Sequence, residues 1–267
     1  LSIYLQKANI YMNKIISVAV PKGGVGKTTT VINLAASFAI AEKKTLIIDM
    51  DPAGACSTAL GFNKDKIKGD ILNIFSFTKK IESVIHKTDL EYLDFIPSDI
   101  DSYHSEQRIE KFTANELHIR NIIRSVTCDY EFTFIDCPPY LKGLTTIALA
   151  ASDSVLIPVK AENFSIVALK KLFTHIDFIK KTFNPQLKIE GILLTMYEKN
   201  TKVSSLALSM IEEHYKAHLF NSIIPKNTTI TEATFQAKPA VLYKALSKGS
   251  QAYLNLATEI LVKNNRI

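Results

Sequence analysis

The chain has 267 residues, of which 47% are hydrophobic and 22% charged, and a net charge of +6; this is the composition of a globular protein long enough to bury a sizeable core. No apolar stretch approaches the roughly 18 residues that a membrane span needs, and the N-terminal residues lack the apolar region of a secretory signal, so we expect a cytoplasmic protein. The three cysteines form no C-x-x-C pair, which argues against a disulfide framework and against a zinc site.

Short apolar runs rich in β-branched residues alternate along the chain with longer segments whose apolar residues recur every three or four positions. Strands are predicted at residues 15–20, 45–48, 93–97, 132–135, 155–159, 189–195 and 222–224. Helices are predicted at residues 28–41, 166–183 and 203–214. This alternation predicts an α/β fold, with a doubly wound, mostly parallel sheet and helices on both faces.

The chain after residue 11 shows no sign of a domain boundary, because it contains no Gly/Ser-rich linker, internal repeat or low-complexity tract. We therefore expect one domain over residues 12–267. Residues 1–11 precede the run that leads into the first strand, and they are expected to form an N-terminal extension. Residues 62–92 show no clear pattern.

A glycine-rich loop follows the first predicted strand, in the sequence PKGGVGKTT at residues 21–29. In a strand-to-helix turn, glycines let the backbone N–H groups face inward, and the helix N-terminus adds partial positive charge. The pattern therefore predicts a phosphate-binding loop, in which Lys27 bridges the β- and γ-phosphates and the Thr28 hydroxyl holds Mg²⁺. The expected nucleotide-binding set in this loop is Lys22, Gly23, Gly24, Val25, Gly26, Lys27, Thr28 and Thr29.

Acidic residues end two further predicted strands. Asp49 and Asp51 lie in LIIDMDP at residues 46–52, and Asp136 follows four strand residues in FTFIDCPP at residues 132–139. Ligands of doubly wound sheets bind at the carboxyl ends of the strands. The second segment is typical of a Walker B strand, so Asp136 is expected to hold Mg²⁺ through water.

The loop has an additional lysine at its start, Lys22, which marks the deviant Walker A form. The loop sequence KGGVGKTT resembles that of the ParA/Soj partition ATPases. D-x-D-P at residues 49–52 and D-x-P-P at 136–139 resemble the two switch segments of that family. The resemblance implies a P-loop ATPase with ATP and Mg²⁺ as cofactors, which forms a homodimer with ATP. It also implies Lys22, Asp51 and Asp136 as catalytic residues and Thr28, Asp51 and Asp136 as the metal set. Lys22 would reach the partner's phosphates, Asp51 would position the attacking water, and Asp49 would support either the Mg²⁺ shell or the loop.

The C-terminal part continues the resemblance, through segments at 191–197, 224–227 and 248–253 that are similar to the adenine-side and terminal segments of Soj-like proteins. Pro225 and Asn227 are accordingly expected at the nucleotide. Residues 160–267 contain 15 Lys or Arg against 8 Asp or Glu, which favours binding of a polyanion. The positions of the family's DNA-binding arginines are Asn200 and Thr229 here. We expect lysines to supply the contacts to DNA phosphates instead, namely Lys199, Lys202, Lys226, Lys244 and Lys248.

Other branches with this loop fit less well. A MinD-like protein would end in an amphipathic membrane helix, whereas residues 258–267 offer few apolar anchors, and iron–sulfur relatives need paired cysteines. The leading hypothesis is thus an ATPase of plasmid or chromosome partition, weak alone and stimulated by a ParB-like partner, which binds DNA without sequence preference at the nucleoid and does not bind membranes. Two alternatives remain open: a ParA-like ATPase that positions another cargo, and an ATP-dependent small-molecule synthetase of the same fold.

Overall fold

The computed structural model of the chain describes residues 13–63, 67–98, 116–162 and 165–266. These residues form a seven-stranded sheet in the order β3-β4-β2-β5-β1-β6-β7. The strands are β1 (Lys14–Val18), β2 (Thr45–Asp49), β3 (His86–Lys87), β4 (Leu93–Ile96), β5 (Phe132–Asp136), β6 (Ser154–Lys160) and β7 (Lys188–Thr195).

Helices connect the strands and cover both faces of the sheet. They are α1 (Lys27–Ile40), α2 (Ala55–Ala59), α3 (Ile71–Phe75), α4 (Glu116–Thr127), α5 (Leu144–Ala151), α6 (Ser165–Thr182), α7 (Lys202–Tyr215), α8 (Thr228–Phe235), α9 (Ala240–Tyr243) and α10 (Lys248–Lys263). Short 3₁₀ turns lie at Ile81–Ser83 and Lys216–His218.

The predicted fold class is confirmed. All neighbouring strands are parallel except β3 and β4, which pair antiparallel at the sheet edge. Every residue of β2 and β5 is buried, as expected where helices cover both faces of a parallel sheet. Six of the predicted strands and all three predicted helices are present, with their ends shifted by one or two residues.

The strand predicted at residues 222–224 is wrong. This segment runs beside β7, and Ile224 contacts it: its N–H donates to the Leu194 carbonyl at 2.9 Å, and its carbonyl accepts from the Tyr197 N–H at 3.0 Å. Among the described residues, the only bridges here are isolated ones at Leu219 and Pro225, so no continuous strand forms. The backbone N–H groups of Asn221 and Ser222 donate to the carboxylate of Glu259, at 2.8 and 3.0 Å, instead of to β7. Because those donors are diverted, a regular ladder cannot form there.

Two hydrophobic clusters hold the helices against the sheet. One packs α1 and α10 onto the first face, with Phe38 inserted between Phe132 and Phe134 of β5 at ring-centroid distances of 4.5 and 5.2 Å. The other packs α4, α5 and α6 onto the opposite face. The rigid sheet edge between these layers therefore positions the loops that follow the strands.

Residues 1–11, predicted as an extension, lie outside the described residues, so that boundary stays a prediction.

Among the helices that the structure describes, none has the length and apolar character needed to cross a membrane.

Candidate nucleotide-binding site

The carboxyl ends of β1, β2 and β5 bring the predicted loop and the predicted acids together. Parallel pairing places Asp136 beside Val18 of β1 on one side and beside Asp49 of β2 on the other. The loop at residues 21–26 continues from β1, so it lies over these acids. This is the edge at which doubly wound sheets bind ligands.

The conformation of the loop depends on its glycines. Gly24 and Gly26 have φ angles of 70° and 89°, in the left-handed region that other residues rarely adopt. Gly26 precedes α1, and none of the described side chains caps the first turn of that helix. The Thr195 hydroxyl donates to the Val25 carbonyl at 2.8 Å and ties the loop to β7. The first N–H groups of α1 are thus available to an anion.

Lys27 is the first residue of α1, and its side chain is buried within the loop. Only 7% of the residue is exposed, and its Nζ donates to the Lys22 carbonyl at 3.1 Å. Burial lowers the pKa of Lys27, while the charges of Asp136 and Asp51 act in the opposite direction. A buried ammonium group with so few compensating contacts is suited to binding a phosphate.

The Thr28 hydroxyl and the Asp136 carboxylate form the second part of the site. The hydroxyl donates to Asp136 Oδ2 at 2.6 Å, and Asp136 Oδ1 is buried without a hydrogen-bond partner among the described residues. Burial raises the pKa of Asp136 to about 6, against the effect of the Thr28 hydrogen bond. An unpaired buried carboxylate oxygen beside a hydroxyl fits Mg²⁺ and its water shell, because Mg²⁺ prefers hard oxygen ligands.

Asp49 and Asp51 have different surroundings. Asp49 is fully buried and accepts hydrogen bonds from the backbone N–H groups of Asp51 and Cys56, at 2.9 and 3.2 Å. Burial and the charge of Asp136 raise the pKa of Asp49 well above its usual range. Asp49 thus holds the loop after β2, one of its two predicted roles. Asp51 is only partly buried, so its carboxylate could reach a water molecule at the phosphates.

Cys56 lies at this site, and the sequence analysis did not identify it. Its Sγ is 3.5 Å from Asp136 Oδ2, and Asp49, Cys56 and Asp136 offer ligand atoms that lie within 4.8 Å of one another. Burial raises the pKa of Cys56 well above its usual range, so the group is a thiol that donates to Asp136. Nothing in the local sequence distinguishes this cysteine from an ordinary buried one.

Glu162 is a second residue that the sequence analysis did not identify. It follows β6, and its carboxylate pairs with Lys22 Nζ at 2.5 Å and with Lys160 Nζ at 2.7 Å. The hydrogen bonds from Lys160 and Lys22 hold the pKa of Glu162 below its usual range. The position of Glu162 after a parallel strand was the available signal, because every such strand ends at the same edge of the sheet.

The predicted adenine-side residues lie next to the loop. A cavity of about 380 Å³ is lined by Gly26 and Thr29 on one side and by Met196, Pro225 and Asn227 on the other. The Asn227 side chain caps α8 by accepting from the Thr229 N–H at 3.0 Å. The size of the cavity and its mainly apolar lining could accommodate a base.

Most of the lysines predicted to bind DNA are near one another. Lys199, Lys226 and Lys248 line one broad depression, and Lys199 also lines an adjoining one with Lys202. Lys244 does not contribute to the described lining of either depression. Part of the charge is compensated, because Lys226 Nζ pairs with Glu198 Oε1 at 3.1 Å.

Comparison with known proteins gives consistent matches. A family model described as an AAA domain matches residues 13–189. The chain is 39% identical to the chromosome partitioning protein ParA of Myxococcus xanthus over 253 residues, which cover 95% of this chain and 89% of the relative. It is 35% identical to the sporulation initiation inhibitor protein Soj of Bacillus subtilis over 249 residues, covering 93% and 98% of the two chains.

Solved structures of the same architecture include an enzyme. Cobyrinic acid a,c-diamide synthase from Mycobacterium smegmatis, solved with bound ADP and magnesium, superposes with a TM-score of 0.81 at 26% identity. The match covers 95% of this chain and 96% of that protein.

Proposed function

The chain belongs to the ParA/Soj family of chromosome-partition ATPases, and on this basis we propose that it is a switch that dimerises with ATP and is reset by hydrolysis. The observation that carries the proposal is the arrangement of Lys27, Thr28 and Asp136 around one loop. ATP and Mg²⁺ are its cofactors. The proposed partners are a second copy of the chain and a ParB-like protein that accelerates a slow basal reaction.

Each residue of the site has a distinct proposed role. Lys27 binds the β- and γ-phosphates, with Gly23, Gly24, Val25, Gly26 and Thr29 contributing the surrounding loop. Thr28 and Asp136 would hold Mg²⁺, which would supply positive charge next to the phosphates. Asp51 orients the attacking water, and Lys22 contacts the phosphates of the second copy. Pro225 and Asn227 border the base.

Binding of DNA without sequence preference is proposed for the depressions that contain Lys199, Lys202, Lys226 and Lys248. Lysine can replace arginine at phosphates, because each neutralised phosphate releases counterions whichever cation neutralises it. A dimer would present two such surfaces, so ATP should promote DNA binding. Asn200 lies in the same lining, where a family arginine would have added charge.

Partition is favoured over small-molecule synthesis by the degree of similarity. The chain shares 39% identity with a partition protein but 26% with the cobyrinic acid a,c-diamide synthase, although both matches cover 95% of it. The common fold does not separate the two functions, because one architecture hosts many activities.

The test uses the hydrolysis-deficient variant Asp51→Ala, whose mass is measured by light scattering with and without ATP. We expect a dimer with ATP alone, and a monomer when Lys22→Ala is added. A monomer under both conditions, or a dimer without nucleotide, would contradict the switch.

DNA retardation tests the second part of the proposal. Binding should require ATP, weaken steeply between about 50 and 200 mM salt, and disappear when Lys199, Lys202 and Lys226 are changed together to Glu. If the ATP-bound dimer forms but does not retard DNA even at low salt, positioning of another cargo replaces DNA partition as the function.

A further inference from the structure

Lys22, the additional lysine at the start of the loop, contacts groups of its own chain. Its Nζ lies 2.5 Å from Glu162 Oε1, and its carbonyl accepts from Lys27 Nζ at 3.1 Å. The amine and the backbone carbonyl of Lys22 are therefore both engaged within the chain. A lysine that must reach a phosphate of another molecule has first to leave these contacts.

Glu162 is shared between two cations. Its second oxygen lies 2.7 Å from Lys160 Nζ, and the side chains of Lys22, Glu162 and Lys160 are 25%, 31% and 41% exposed. Lys160 competes for the same carboxylate, so it weakens the hold of Glu162 on Lys22. Because these side chains are partly exposed, each ion pair is weak enough for Lys22 to leave Glu162 for another anion.

We propose that Glu162 is a positioning residue that retains the Lys22 amine at the end of β6 until ATP brings a second copy, and that Lys160 sets how readily Lys22 is released. The contact of Lys22 with phosphates of a second copy rests on the proposed function. Its retention by Glu162 does not. Phosphates of a second copy would replace the carboxylate as the anion that Lys22 contacts. Glu162 thereby opposes premature dimerisation.

Retention is tested on the nucleotide-free protein with an amine-acylating reagent. Mass spectrometry measures the rate at which Lys22 is modified. Exposed Lys170 serves as the internal reference. Glu162→Gln keeps the shape of the side chain and should raise the modification rate of Lys22 about two- to fivefold, the range that corresponds to a partly exposed ion pair. Lys160→Gln should lower that rate, because Glu162 is then left to Lys22 alone. An unchanged Lys22 rate in both variants would overturn the proposal.

The effect on assembly is tested in the Asp51→Ala background, as the ATP concentration at half-maximal dimerisation. Glu162→Gln should lower it about two- to fivefold, and Lys160→Gln should raise it. A general charge effect would also change the affinity of the monomer for ADP, which we expect to stay constant in both variants. Loss of dimerisation in Glu162→Gln with unchanged ADP affinity would show that Glu162 presents Lys22 instead of retaining it. If the unaltered background does not dimerise at all, the proposed function fails, while the modification rates still decide whether Glu162 retains Lys22.

Discussion

The Thr28 hydroxyl donates a 2.6 Å hydrogen bond to Asp136 and so connects the first turn of α1 with the end of β5. If both groups hold Mg²⁺, Thr28→Val should lower the Mg²⁺-dependent affinity for ATP by at least about tenfold. Thr28→Ser retains the hydroxyl and should bind nearly as well. Titration of nucleotide with and without Mg²⁺ measures the effect, and equal affinities of the Val and Ser variants would exclude Thr28 from the metal site.

Lys27→Ala should abolish measurable ATP binding. Two charge-assisted hydrogen bonds to phosphates are lost, which corresponds to a decrease in affinity of at least about 100-fold. Lys22→Ala removes the same charge from the same loop and is the matched control, since it should leave the affinity of the monomer for ADP unchanged. Similar losses in both variants would contradict the separate roles of the two lysines.

Asp51→Ala should bind ATP normally and hydrolyse it at least about 100-fold more slowly, because only the group that orients the water is removed. Asp49→Asn is the control, because Asp49 accepts two backbone hydrogen bonds and is fully buried. That change should lower the stability of the fold by about 1–3 kcal/mol. Single-turnover hydrolysis measures the first effect, and thermal unfolding measures the second. Normal hydrolysis by Asp51→Ala would show that another residue orients the attacking water.

The Glu190 carboxylate should stabilise the fold in a pH-dependent way. It accepts from Ser154 at 2.5 Å and Asn264 at 2.9 Å, and it pairs with Lys14 at 3.0 Å. Burial alone would raise the pKa of Glu190, but Lys14 and these hydrogen bonds outweigh it and hold that pKa below its usual range. The stabilisation is therefore present above the unfolded pKa and is lost as the pH falls through the folded pKa.

Glu190→Gln should lower the free energy of unfolding by about 3 kcal/mol at neutral pH, and by less as the pH falls. Glu198→Gln breaks an exposed pair with Lys226 and should cost under about 1 kcal/mol. Urea unfolding at several pH values makes the comparison. A difference from the wild type that does not shrink in acid would show that the Glu190 charge is not responsible.

The sequence alone predicted six of the strands, three of the helices and a phosphate-binding loop. Buried parallel strands require continuous apolar runs, and a phosphate loop requires glycines, a lysine and a threonine at fixed spacing, so both are local properties. A local pattern also misled: residues 222–224 have the composition of a strand, but Glu259 takes the N–H groups of Asn221 and Ser222.

Only the tertiary structure decided which groups meet at the loop. Asp49 and Asp136 are neighbours because β5 lies between β1 and β2 in the sheet, an order that no single segment encodes. The same edge brings Cys56 to Asp136 and Glu162 to Lys22. These contacts depend on how strands distant in the chain are arranged side by side, and that arrangement is set by packing of the whole core.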